Sequence, residues 1–192
     1  MRGNIRVCVR DLLWERKMFG FLKKKETECS KIELPELEKD GEKEIICAPI
    51  MGDVTNCADI KDLTFQKEML GQSIAIKPTA GKVYAPADGK IDMMMETMHA
   101  VSMTSVNGAE ILIHVGIDTV ALKGKFFKGY VKEGSVVKRG DLLIEFNLEE
   151  INRAGYDLIS PVIICNSDEY VEIEKMIGQT VQVGETIMKL TK

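Results

Sequence analysis

Long apolar runs, basic stretches and histidines are all scarce in this sequence, and each scarcity removes a class of protein. No apolar run approaches the ~20 residues that a membrane-spanning helix needs. The formal net charge is −4, and Lys23-Lys24-Lys25 is the one basic cluster, so nothing resembles the basic stripe of a nucleic-acid binder. The five cysteines (Cys8, Cys29, Cys47, Cys57, Cys165) are odd in number and include no C-x-x-C pair. That argues against a disulfide framework and for free thiols in a reducing cytoplasm. Cys47, Cys57 and Cys165 read as small buried hydrophobes, Cys8 and Cys29 as exposed tail residues. With two histidines in the chain, His99 and His114, no four-ligand zinc pattern can be drawn from spacing.

What is there suits one compact domain with a tail: 192 residues, 45% hydrophobic and 29% charged. Residues 1–40 are charge-rich and show no sustained alternation. They are expected to form a disordered or weakly ordered tail ahead of a domain spanning 41–192. Within the tail, Met18-Phe19-Gly20-Phe21-Leu22 precedes the three lysines, the reverse of the order in a signal peptide. The segment reads as tail, with a short membrane-surface helix as the alternative. Met18 also reads as a second start, which would make residues 1–17 an extension that is not always translated.

Beyond Glu44 the texture changes. Short β-branched runs alternate with Gly, Pro, Asp and Asn: 44–46, 73–76, 81–84, 89–92, 100–106, 109–115, 129–131, 142–146, 161–165 and 186–190. Many short strands at close spacing predict an all-β, antiparallel sandwich or barrel. Two short helices are expected to interrupt it. One runs from Leu63 to Leu70. The other follows Asn147, whose spacing to Glu150 fits a cap and N3 pair, with Gly155 closing it. Two faint repeats are visible. Gly134 to Asp141 matches Gly178 to Glu185, glycine for glycine and acid for acid, and Ala48 to Val54 matches Ala85 to Ile91. Glycines six apart suit tight turns at sheet corners, and the repetition predicts two related β motifs wrapped together.

The informative segment runs from Glu96 to Val120. Asn107-Gly108 between two alternating runs predicts a two-residue type I′ hairpin. That register sets Val106 opposite Ala109, Thr104 opposite Ile111 and Val101 opposite His114. His99 then shares a face with His114, Val101, Met103 and Leu112, while Ile111, Ile113 and Val115 take the other. Diagonal neighbours of this kind have backbones about 7–8 Å apart and rings able to come closer. A strand histidine is commonly structural, and so the parity leaves a structural and a reactive pair both open. Two imidazoles beside Gly116 and Asp118, without a third ligand, favour covalent chemistry over a metal. A neutral imidazole is a competent nucleophile toward phosphorus. A second imidazole can hydrogen-bond a phosphoryl oxygen, and Thr97 can orient that ring.

These residues resemble a known family, the glucose-type enzyme IIA of the bacterial sugar phosphotransferase system, over residues 44–192. The matching motifs are Ala48-Pro49 with Gly52, Gly71-Gln72-Ser73-Ile74-Ala75-Ile76-Lys77-Pro78, Ala85-Pro86 with Gly89, and Glu96-Thr97-Met98-His99-Ala100. His114-Val115-Gly116-Ile117-Asp118-Thr119-Val120, Leu122-Lys123-Gly124, Phe127, Gly134, Val137, Gly140-Asp141 and Gly184-Glu185-Thr186 continue the match. The resemblance implies a β-sandwich of duplicated hybrid type, a phosphohistidine at His114, and a supporting His99 linked to Thr97. It implies the carrier protein HPr as phosphoryl donor and a cysteine on the IIB domain of a sugar permease as acceptor. It also implies a cytoplasmic location, no cofactor beyond the covalent phosphoryl group, and membrane contact only through the permease or the tail. An apolar docking ring would comprise Leu63, Thr64, Phe65, Met69, Leu70, Met95 and Leu112, with Asp62 and Asp118 at its edge and Gly116 and Val120 also among the partner-binding residues. Met95, Leu112 and Thr64 depart from residues common in the family, and Met69 and Leu70 read equally as core. No metal is assigned, although His99 and His114 could share a zinc with a partner's carboxylate.

Three rival readings can be weighed. A zinc peptidase of similar β texture needs a third histidine, which the chain lacks. A biotinyl or lipoyl carrier would put its lysine on a hairpin tip, whereas Lys189 of Met188-Lys189-Leu190 is three residues from the end and reads better as a solvated C-terminal lysine. A regulatory protein that binds targets according to phosphorylation state is compatible with the phosphocarrier reading.

Overall fold

The computed structural model describes residues 43–192. The tail, the alternative start at Met18, and Cys8 and Cys29 lie outside the described residues. The first strands are β1 (Lys43–Cys47), β2 (Gly52–Thr55), β3 (Gln72–Pro78), β4 (Lys82–Tyr84), β5 (Gly89–Met94), β6 (Ala100–Ser105) and β7 (Glu110–His114). They are followed by β8 (Phe127–Gly129), β9 (Val136–Val137), β10 (Leu142–Phe146), β11 (Ser160–Ile164), β12 (Glu172–Lys175), β13 (Thr180–Val181) and β14 (Thr186–Thr191). Two helices interrupt them, α1 (Leu63–Gln66) and α2 (Leu148–Arg153). The expected all-β antiparallel fold is therefore present. Strands β2, β9, β12 and β13 are too short or too polar to stand out as alternating runs, and β8 lies two residues ahead of the expected 129–131 strand.

One large sheet has the order β13-β2-β3-β11-β7-β6-β5-β9, and two three-stranded sheets have the orders β1-β14-β12 and β4-β10-β8. The two small sheets echo each other, and the two halves of the large sheet echo each other about its β11–β7 centre. Val181 faces Gly52 as Val137 faces Gly89. Ile46 faces Met188 as Val83 faces Ile144, and both ladders carry an irregularity at the same place. The Gly184 amide bonds the Ala48 carbonyl at 3.0 Å, and Gly140 bonds Ala85 at 2.9 Å. The halves also grip each other reciprocally, Cys47 N–H to Pro86 C=O and Tyr84 N–H to Pro49 C=O. The repeats read from the sequence are thus the pivots of a local two-fold arrangement, with Gly134, Gly140, Gly178 and Gly184 all at positive φ where the chain turns.

The centre of the large sheet is apolar on both faces. All five residues of β11 are buried, as befits a strand covered on both sides. The main core gathers Ile46, Ile74, Ile76, Ile91, Ile111, Ile113, Leu143 and Ile144, among others. Each such side chain contributes about 1.5–3 kcal/mol relative to exposure. A smaller cluster of Cys57, Ile60, Ala75 and Ile159 supports Phe65 and Ile117 from beneath.

The β6–β7 hairpin departs from its expected register by one residue. Ala100 faces His114, Val101 faces Ile113 and Met103 faces Ile111. Asn107 does not take the positive φ that a type I′ turn requires, and only Gly108, at φ 97°, does. The loop therefore has three residues, with the Gly108 amide on the Ser105 carbonyl and the Ser105 amide on the Ala109 carbonyl. The Ser105 hydroxyl stabilises this form by accepting from the amides of Asn107 and Ala109. Val101 and Met103 consequently face the core with Ile111 and Ile113, not the face of His114 and Leu112.

Helix α1 is shorter than the expected 63–70 segment. Its chain leaves the helix at Lys67, and Glu68 takes φ 49°. Helix α2 starts as read from the sequence, the Asn147 side chain accepting from the Glu150 amide, with Gly155 beyond it at φ 89°. Cys47 and Cys57 are buried, whereas Cys165, expected inside, is exposed.

Candidate functional site

His114 ends β7, near the middle of the large sheet. Its Nδ1 lies 2.7 Å from the Gly116 carbonyl oxygen. A carbonyl only accepts, so Nδ1 carries the proton, and Nε2 of the neutral ring keeps a free lone pair. Gly116 is required for this contact. Its φ is 70°, and an added Cβ would sit 2.7 Å from Thr119 Cγ2 and 2.8 Å from the Asp157 carbonyl oxygen.

His99 lies just ahead of β6, its carbonyl accepting from the Val115 amide at 2.7 Å. The preceding residue, Met98, takes φ 56°. That turn frees the His99 side chain from the alternation of the strand, so it meets His114 even though the register differs from expectation. The ring centroids are 4.9 Å apart at an interplanar angle of 82°. Thr97 Oγ1 lies 2.6 Å from His99 Nδ1. Met98 is itself held, its sulfur accepting from the Gly129 amide at 3.0 Å.

Phe65 of α1 also packs against His114, ring centroids 5.2 Å apart. The N-cap carboxylate of Asp62 accepts from the amides of Thr64 and Phe65, which sets where the phenyl ring enters. Burial lowers the pKa of His114, while its bond to Gly116 and the charges of Asp62 and Asp118 oppose that shift without reversing it. His99 is lowered to about 4, first by burial and then by repulsion from His114. Both rings are therefore neutral near pH 7.

The structure brings together Thr97, His99, His114, Phe65 and Asp62. Leu112 lies on the His114 side of β7, and Met95 is half-buried just beyond β5. Leu63 and Met69 are 60% and 70% exposed, which rules out the core reading for that stretch, and Leu70 and Val120 are exposed as well. Thr64 is half-buried and Asp118 exposed, at φ 58°. Gly116, expected among the partner-binding residues, is buried, and its carbonyl works inward on His114. Sequence reasoning missed that inward role, and also Ser160, whose hydroxyl receives the Gly116 amide. No group of three or more His, Cys, Asp or Glu among the described residues is arranged to hold a metal ion.

Residues 44–170 match the family described as phosphoenolpyruvate-dependent sugar phosphotransferase system, EIIA 1. The chain belongs to that family. It is 42% identical to the glucose-specific EIIA component of Bacillus anthracis, over 77% of this chain and 90% of that one. It is 43% identical to the β-glucoside-specific EIIBCA component of Halalkalibacterium halodurans, over 79% of this chain and 24% of that one. The chain thus spans about a quarter of the length of that relative and of its Bacillus subtilis counterpart. Among solved structures, glucose permease IIA from Mycoplasma capricolum superposes with a TM-score of 0.73 at 29% identity, covering 78% of this chain and 96% of that one.

The EIIA fold also disposes of the swinging-arm reading. Lys189 lies within β14, between Ile45 of β1 and Glu174 of β12, and not on a hairpin tip. No helix among the described residues is long and apolar enough to cross a membrane.

Proposed function

We propose that this EIIA domain is a phosphocarrier that accepts a phosphoryl group from phospho-HPr on Nε2 of His114. It then passes the group to a cysteine of a IIB domain of a sugar permease, in the cytoplasm. The observation that carries the reading is the bond from His114 Nδ1 to the Gly116 carbonyl, which leaves Nε2 as the nucleophilic atom beside a second imidazole. In the first step the N–P bond of the donor breaks and its electron pair returns to the donor ring, while the His114 Nε2 lone pair forms the new N–P bond. The proton stays on Nδ1 throughout, donated to the Gly116 carbonyl oxygen. In the second step a thiolate attacks phosphorus, and the Nε2–P pair returns to His114. The Thr97 hydroxyl donates to His99 Nδ1, so that His99 Nε2–H donates to a phosphoryl oxygen. No cofactor enters the reading.

Exposed Leu63, Met69, Leu70 and Val120 supply the apolar docking surface, and Asp62 and Asp118 supply charge for basic partner residues. Incubation with phosphoenolpyruvate, enzyme I and HPr should add one acid-labile, base-stable phosphate. A His114→Ala protein that still takes up the label would overturn the assignment.

A further inference from the structure

Strand β7 stops at His114, so the peptides that follow are not held by the full ladder, yet one of them sets the state of the reacting ring. We propose that the buried hydroxyls of Ser160 and Thr119 are positioning residues: they fix the Val115–Gly116 peptide so that the Gly116 carbonyl selects the Nδ1–H tautomer of His114. The consequence for catalysis rests on the phosphocarrier reading; the tautomer selection does not.

The hydrogen bonds have one consistent polarity. Ser160 Oγ donates to the Leu158 carbonyl at 2.7 Å, which commits its proton and leaves a lone pair for the Gly116 amide at 3.2 Å. Thr119 Oγ1 donates to the Val115 carbonyl at 2.5 Å, the other end of the same peptide group. The next peptide is held by the Ile117 amide on the Asp157 carbonyl at 2.8 Å. Ser160 and Thr119 are both 0% exposed, so water cannot substitute when either hydroxyl is removed. The residue they restrain is a glycine at φ 70°, the type with the widest choice of backbone conformation. With either hydroxyl bond gone, the Gly116 carbonyl is held chiefly through its own peptide, by the Ile117 amide on the Asp157 carbonyl, and gains freedom to turn. The two neutral tautomers of an imidazole differ little in energy, so a single hydrogen bond decides between them. The Nε2–H form would place a proton where the nucleophilic lone pair has to be.

The test is a long-range ¹H–¹⁵N spectrum of histidine-labelled, unphosphorylated protein at pH 8, where both rings are neutral. The native protein should show His114 in the Nδ1–H form alone. Ser160→Ala and Thr119→Val should show both forms, and transfer to His114 should slow by about 10-fold, as loss of an outer partner of a working histidine does. Ser160→Thr, which keeps a hydroxyl, should restore both the spectrum and the rate. If Ser160→Ala does not fold, Thr119→Val and Ser160→Cys carry the same expectation. A pure Nδ1–H signal in folded variants lacking either hydroxyl would overturn the proposal. Because the spectrum is read before any phosphate is added, it stands even if the carrier reading fails.

Discussion

Burial and hydrogen bonding pull the His114 imidazole in opposite directions, and burial prevails. With His99 lowered to about 4, the site holds two imidazoles that resist protonation when folded. An unfolded histidine titrates near 6.5, so between that pH and about 4 the unfolded chain binds more protons than the folded one. The stability associated with neutral His99 is complete above pH 6.5 and is lost as pH falls toward 4. Urea unfolding at pH 7 and pH 5 should therefore show a smaller drop for His99→Gln than for the native protein; equal drops would mean that burial does not disfavour the charged ring. His99→Ala should still accept phosphate, but single-turnover transfer should slow by roughly 10²–10³-fold, the usual effect of losing one preorganised donor. Wild-type rates in both transfer steps would reduce His99 to a structural residue. At this scale the histidine pair was legible because the chain has only two. The roles of Ser160 and Thr119 were not, because a buried hydroxyl in a polar–apolar boundary looks like any other strand or loop residue.

Among the elements, α1 and the β6–β7 hairpin show how local chemistry decides what pattern alone cannot. Asn107-Gly108 signals a turn correctly, but the hydroxyl of Ser105 favours the three-residue loop, and the register moves by one. The imidazoles still meet because Met98 adopts a left-handed conformation, for which a methionine gives no sequence signal. The loop after α1 is fixed by Glu68, whose carboxylate accepts from the Ser73 amide at 2.8 Å and from Lys175 of β12 at 2.6 Å. Burial alone would raise the Glu68 pKa, but these donors outweigh it and the net shift is downward. Its stabilising effect is therefore present above the usual glutamate range and lost as pH falls through the lowered value. Lys175→Met should loosen this loop, seen as faster hydrogen exchange at the Ser73 amide, without altering exchange in β11. Phe65→Ala should weaken HPr and IIB binding by about 1–3 kcal/mol, as loss of an aromatic anchor does. Unchanged affinity with a large loss of stability would make Phe65 a purely internal support of His114.

The described residues pair two copies of one β motif around a shared central sheet, and the glycine repeats were enough to reveal that. What they could not reveal is the asymmetry that makes a site. One half contributes both histidines from β7 and the approach to β6, while the other contributes α1 and Phe65 between β2 and β3. A chain starting at Met18 should keep its melting temperature and accept phosphate at an unchanged rate, and a loss of several degrees would show that residues 1–17 pack on the domain. The phosphocarrier reading turns on one atom, Nε2 of His114, as the carrier of phosphorus. Phosphorylating ¹⁵N-histidine-labelled protein through enzyme I and HPr, then recording the ³¹P–¹⁵N coupling, tests it most directly. One phosphorus should be coupled to Nε2 of His114, with Nδ1 still protonated. Phosphorus on Nδ1, or on His99, would contradict it.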